Sequence, residues 1–279
     1  MLLTILEEQL RDFEEMDGGG AYTDIQRARC YWPGVSVVIR RWRRELSEDE
    51  ENKLQRLLGM WARLTRRHRI LGFCRLDHNR RASIVVPFYP KGNIIEYLER
   101  HSDVNDVDVL TLFFQVAAAL ANAHSMSPPL IHGNVRGSNI LIHWDEEPIV
   151  TDFGLRELNP QKDLSTACRW LAPEILYPKG GPWVPGASDV YSFGMTMLEV
   201  CTGSRPFKDI SGDQVMLDVS SGQRPKRPSH QDCKNFFIAD NLWNIITDCW
   251  KHDPADRPTM NTLYTRLYRL RGSLAREWA

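Results

Sequence analysis

Between residues 131 and 154 the chain sets several polar groups at short spacing. An apolar run closes in a polar turn, His132-Gly133-Asn134-Val135-Arg136-Gly137-Ser138-Asn139, and returns as Ile140-Leu141. Thr151-Asp152-Phe153-Gly154 follows closely. Asp152 and Asn139 offer oxygens, Arg136 a fixed positive charge and His132 an imidazole. Asn134 carries an amide, which has no lone-pair set able to take a proton near neutral pH. The stretch is equipped to neutralise and position charge, and it has no base at 134.

These two blocks resemble the catalytic loop and metal-binding motif of protein kinases, which normally read H-R-D-L-K-P-x-N and D-F-G. The Arg of that pattern is here Gly133, the Asp is Asn134 and the Lys is Arg136. His132, Asn139, Asp152, Phe153 and Gly154 keep their types. The resemblance implies Mg²⁺ at Asp152, a second metal site at Asn139, and Arg136 near a γ-phosphate. It puts Asn134 where the general base faces the acceptor hydroxyl, a loss of about 10²–10⁴-fold. Gly133 removes the Arg that in many members pairs with a phosphate on the activation loop, so activation through that contact is not expected. Ser165 and Thr166, the hydroxyl candidates of that loop, read as turn residues. His132 is expected to pack against Phe153 rather than to titrate.

The elements that would position a nucleotide come earlier. Gly18-Gly19-Gly20-Ala21-Tyr22-Thr23-Asp24-Ile25 precedes a strand-like run, Val35 to Arg40, at the distance expected of a kinase glycine-rich loop and its third strand. Gly18 and Gly20 match that pattern, Thr23 replaces its third Gly, and Ile25 stands for its Val. Backbone N–H groups there can still cradle phosphates, although the Cβ of Thr23 stiffens the loop. Val37-Val38-Ile39-Arg40 falls where the family has V-A-I-K. Arg40 therefore replaces the Lys on the α/β-phosphates, and Val38 the small Ala beneath the adenine. Arg is a planar fork and not a point charge, so the exchange is not conservative; a solvated strand-end Arg is the other reading. No Lys precedes Lys53 to take its place. A helix over 47–64, capped by Ser47, would carry the Glu partner of that Lys at Leu57 or Leu58. Both halves of one ion pair are thus changed. Val86 falls at the gatekeeper and Pro87, Phe88 and Tyr89 at the hinge; Leu141 completes the implied ATP-binding set.

The rest of the chain follows the family more closely. Ala172-Pro173-Glu174 matches A-P-E, and Ser188-Asp189-Val190-Tyr191-Ser192-Phe193-Gly194 and Cys249-Trp250 through Arg257-Pro258 match two further motifs. The resemblance implies a buried Glu174–Arg257 ion pair, and its flavour is tyrosine-kinase-like. These matches speak for fold and not activity. The implied fold class is α+β, a two-lobed protein kinase fold. A small five-stranded antiparallel sheet lobe with one main helix spans 18–89, and a larger helical lobe spans 90–271. Residues 272–279 form a tail. Residues 1–17, with Leu3, Leu6, Leu10 and Phe13 at helical spacing, read as a helical extension, docked on the domain or offered to a partner.

Composition narrows the rest. The 279 residues are 42% hydrophobic with a formal net charge of −1, enough for a sizeable core and without a field that draws nucleic acid. The basic cluster Arg63 to Arg69 and the lone His124 read as a solvated helix end and a satisfied core residue. Six cysteines show no ligand spacing and read as free thiols. No apolar run approaches membrane-spanning length, and the N-terminus makes a poor signal peptide. The expectation is a cytoplasmic pseudokinase: phosphotransfer lost or severely impaired, ATP and Mg²⁺ possible as ligands, and a signalling protein as partner, with no nucleic acid and no membrane insertion. The alternatives are an active Ser/Thr or Tyr kinase using unusual groups, and a module that binds ATP–Mg²⁺ without turnover.

Overall fold

The chain alternates short half-buried strands early and long apolar helices late, and a computed structural model resolves this into two units. Residues 5, 7–16, 23–31, 34–64, 72–76, 81–101, 104–158, 167–178 and 184–277 are described. The first unit takes residues 1–90 with 158–162, the second the remainder.

In the first unit, strands β1 (Leu10–Met16), β2 (Thr23–Cys30), β3 (Ser36–Trp42), β4 (Gly72–Leu76) and β5 (Arg81–Pro87) form one antiparallel sheet in the order β1-β2-β3-β5-β4. Strand alternation gives each face its chemistry. Ala28, Cys30, Val37, Ile39, Cys74 and Val85 form a buried cluster with Ile5 and Leu10. Ile25, Val38, Arg40 and Val86 share the other face, since Ile25 pairs with Arg40 and Val38 with Val86. The expected N-terminal helix is corrected here: Glu7–Gln9 makes a single 3-10 turn and Leu10–Met16 is strand β1. Only Leu10 of this strand is buried, Phe13 is 46% exposed, and the register slips between Arg11 and Glu14. Pairing with β2 outweighed a helical spacing that had no second surface to bury.

Helix α1 (Glu48–Trp61) begins in a capping box, with Ser47 Oγ accepting from the Glu50 amide and Glu50 accepting from the Ser47 amide. Arg44 grips the same Glu50 at 2.5 and 2.8 Å. That guanidinium, followed by the Ser47 backbone, holds the Glu50 carboxyl down at about 2. Glu51 pairs with Arg75 of β4. The opposite face buries Leu54, Leu57, Leu58 and Trp61.

The second unit is built on α2 (Ile94–Arg100), α3 (Asp106–His124), α4 (Pro173–Leu176), α5 (Ala187–Thr202), α6 (Gly212–Ser220), α7 (Asp240–Cys249) and α8 (Met260–Glu277), with a two-stranded hairpin, β6 (Ile140–Ile142) and β7 (Pro148–Val150). Helix α3 is long and apolar enough, by length and composition, to span a membrane, which corrects the expectation that no run approached that length. It packs along α8 and buries Val109, Leu110, Leu112, Phe113, Val116, Ala117, Leu120 and Ala123. Arg271 Nε of α8 ties back to Thr111 Oγ1 at 2.7 Å. Helix α5 is buried almost all round, as the hub of the unit must be. Glu174 and Arg257 form the expected pair, doubly bonded at 2.7 and 2.9 Å, with the Arg257 side chain fully buried.

Candidate catalytic and nucleotide-binding residues

The loop from His132 to Asn139 is held from beneath by one carboxylate. Asp189, in the first turn of α5, is completely buried and accepts from the His132 amide (2.8 Å), the Gly133 amide (2.7 Å) and His124 Nε2 (2.9 Å). Burial works to raise its pKa, but His124, His132 and the Gly133 amide together outweigh it and hold the carboxyl below its ordinary value. His124 is thus a satisfied core residue, as expected. Gly133 takes φ +75°, a left-handed conformation that glycine adopts without penalty.

Two backbone bonds join this loop to the Asp152 motif. The Thr151 amide donates to the Asn139 carbonyl at 2.9 Å, and the Gly154 amide to the His132 carbonyl at 3.1 Å. Asp152 itself is left-handed, φ +69°, a region Asp tolerates better than most residues. Phe153 is fully buried with its ring centroid 4.8 Å from that of His132. Burial pushes the His132 imidazole down despite Asp189 and Asp152, so it stays neutral and packs, as its position suggested.

The side chains around this frame differ in how they are used. Asn139 donates Nδ2 to the Asn134 carbonyl at 2.9 Å. Asn134 Oδ1, Arg136 Nε and His132 Nε2 are buried without hydrogen-bond partners among the described residues. Glu199 of α5 accepts from the Gly137 amide (2.9 Å) and Trp170 Nε1 (3.0 Å), joining the loop to residues just before Ala172-Pro173-Glu174. Burial raises its pKa to about 7, against the pull of those two donors and Arg136. A side chain on Gly137 would meet Ile95 Cγ1 at 2.7 Å, so glycine lets the loop pack against α2.

In the first unit, Gly18 and Gly20 lie outside the described residues. Ile25, Val38, Arg40 and Val86 line one sheet face, as above. Phe88 donates its amide to the Ser36 carbonyl at 3.0 Å and carries Arg27 over its ring at 4.3 Å. Tyr89 is buried, which pushes its phenol up to about 12. Leu57 and Leu58 are 7% and 0% exposed, so the positions expected to hold an acid face apolar surroundings. Leu141 belongs to the second unit, in β6.

A family model described as protein tyrosine and serine/threonine kinase matches residues 12–267. The chain belongs to this kinase family. It is 28% identical over 257 residues to a protein of Acanthamoeba polyphaga mimivirus named as a serine/threonine-protein kinase/receptor, covering 90% of this chain and 15% of that one. It is 25% identical over 264 residues to the serine/threonine-protein kinase CTR1 of Arabidopsis thaliana, covering 90% of this chain and 30% of that protein. The tyrosine-protein kinase SPK-1 of Girardia tigrina is 27% identical over 266 residues, and there the chain spans 51% of the relative. The chain thus spans between about a seventh and half of these proteins.

Kinases of this family use ATP and Mg²⁺, and the residues present fit the metal better than the nucleotide. A carboxylate at Asp152 and an amide oxygen at Asn139 are the hard donors that Mg²⁺ takes. At the kinase strand Lys stands Arg40, and where the kinase helix Glu is expected stand two buried leucines. Glu199 and Trp170 escaped sequence reasoning. The one available signal was a single acid in the apolar stretch Met195-Thr196-Met197-Leu198-Glu199-Val200-Cys201, whose burial had to be answered by donors.

Proposed function

We propose that this kinase domain has lost phosphotransfer, or retains very little, and acts by binding a signalling protein in the cytoplasm as scaffold or allosteric regulator. Asn134 carries the proposal. Its loop is clamped by Asp189 and bonded through Thr151 and Gly154 to the segment carrying Asp152, yet its side chain cannot take a proton from an acceptor hydroxyl. Loss of a positioned base costs about 10²–10⁴-fold. The altered Arg40 and the leucine at 57 or 58 add a phosphate-positioning defect that need not multiply with it, because both act on one transition state.

Asp152 and Asn139 would hold Mg²⁺, which when bound neutralises phosphate charge. Arg136 adds positive charge, and Asp189 accepts from the His132 and Gly133 amides of the same loop. This fit favours a second reading, ATP–Mg²⁺ as a conformational ligand without turnover. The Arg169-to-Glu174 and Cys249-Trp250 sequences support a tyrosine-kinase-like member.

Thermal melts with and without ATP–Mg²⁺ report occupancy, since a ligand of the folded form raises Tm. Radiolabel transfer, with Asp152→Asn as control, reports turnover. We expect no transfer above that control. A signal that Asp152→Asn abolishes would overturn the proposal in favour of an active kinase.

A further inference from the structure

Ile25, Val38, Val86 and Phe88 belong to the ATP-binding set that the kinase resemblance implies, and a cation of the same sheet already stands among them. Ile25 pairs with Arg40, Arg27 with Val38 and Val38 with Val86, so Arg27 shares their face. It does not stay over its own strand. β2 and β5 lie on either side of β3, about 10 Å apart. The Arg27 side chain crosses that gap to the residue that follows β5, with Cζ 4.3 Å from the centre of the Phe88 ring. Ser36 and Val38 of β3 alternate onto this face between them, and both are short enough to be crossed.

Two further contacts bear on this arrangement. The Phe88 amide, bonded to the Ser36 carbonyl at 3.0 Å, fixes the backbone that carries the ring. Glu14 of β1 lies 3.9 Å from Arg27 Nη1, on the other side of β2. Both side chains of that pair are exposed, so it adds little, and the ring contact is the stronger hold on the guanidinium. A purine and a guanidinium are both flat, and both stack on an aromatic face. One ring face cannot carry the two at once.

We infer that Arg27 is a specificity-determining residue of this face, standing on Phe88 where a purine base would pack and so lowering the affinity for adenine nucleotides. This role rests on reading ATP–Mg²⁺ as a ligand of the chain. Base and guanidinium compete for the ring, so a bound nucleotide has lifted Arg27 away from Phe88.

The test is equilibrium dialysis of radiolabelled ATP–Mg²⁺ and, separately, of adenosine against the wild type and Arg27→Leu. The variant removes the charged fork and keeps an apolar stem, and it should bind both ligands about three- to tenfold more tightly. A gain shared by adenosine, which carries no phosphate, locates the obstruction at the base. In a Phe88→Leu background the same Arg27→Leu change should give no gain, because the ring that holds the guanidinium is gone. Melting curves confirm that the variants are folded. Affinities unchanged or weakened in Arg27→Leu overturn the inference, as does a gain that persists without the Phe88 ring. Binding of neither ligand by either protein also overturns it, since Arg27 is then not what closes the face. The wild type's own affinity reports on the ligand reading separately: a wild type that binds nothing beside an Arg27→Leu protein that binds both ligands sinks ATP as a ligand of this chain and upholds the role of Arg27.

Discussion

Replacing Glu199 by Gln should change how stability depends on pH more than it changes stability itself. The folded protein holds this carboxyl at about 7, against an ordinary value of 4.5, because burial outweighs the Gly137 and Trp170 donors. Below the ordinary value both folded and unfolded chains carry the proton, and Glu199 contributes no pH dependence. As pH rises from 4.5 toward 7 the unfolded chain releases its proton while the folded one keeps it, so stability falls. At about 1.4 kcal/mol per pH unit the full penalty comes to about 3 kcal/mol once pH passes 7. Gln keeps an oxygen for the two donors and has no proton to lose. Urea unfolding of the wild type and Glu199→Gln at intervals from pH 5 to 8 should give a difference that grows by about 3 kcal/mol in favour of the variant. A difference that stays constant across that range would refute the reasoning, since it would mean that the carboxylate is as well solvated folded as unfolded.

Glu174→Ala leaves Arg257 buried without its carboxylate and should cost about 3–5 kcal/mol in denaturant unfolding, whereas Glu174→Gln should cost less. Gly133→Val forces a β-branched residue to φ +75° and should lower stability by about 1–3 kcal/mol, read as a drop in Tm. Gly186→Ala should be worse than an ordinary left-handed substitution, because its Cβ would approach His124 Nδ1 to 2.5 Å at φ +80°; loss of the His124–Asp189 bond would be visible in the His124 NMR signals. Leu58→Glu places an acid at a fully buried site and should destabilise the first unit, read as a drop in Tm, whereas Leu58→Met should be tolerated.

The catalytic-loop residues were legible in the sequence because their spacing is local. His132, Asn139 and Asp152 lie within a short segment whose turn chemistry fixes their order. The helix at Ser47 was equally legible, since its capping box uses residues three apart. The N-terminal segment was misread for the opposite reason. Leu10 and Phe13 sit in a helical period with Leu3 and Leu6, which lie outside the described residues, but strand Leu10–Met16 depends on β2, a partner that local spacing cannot represent. Arg40 and the leucine at 57 or 58 could be named as departures from the kinase pattern, and the burial of both leucines explains why an unpaired acid would not be tolerated there.

The sequence by itself determined the kinase family, the order of its motifs and the loss of a carboxylate at 134, because residue identity and short spacing carry those facts. Only the tertiary structure decided how these groups are engaged. That Asp189 clamps His132 and Gly133 and that Glu199 joins Gly137 to Trp170 both depend on contacts between residues far apart in the chain. Hydrogen bonding and desolvation act through space, so the chemical state of a side chain follows from what folds against it.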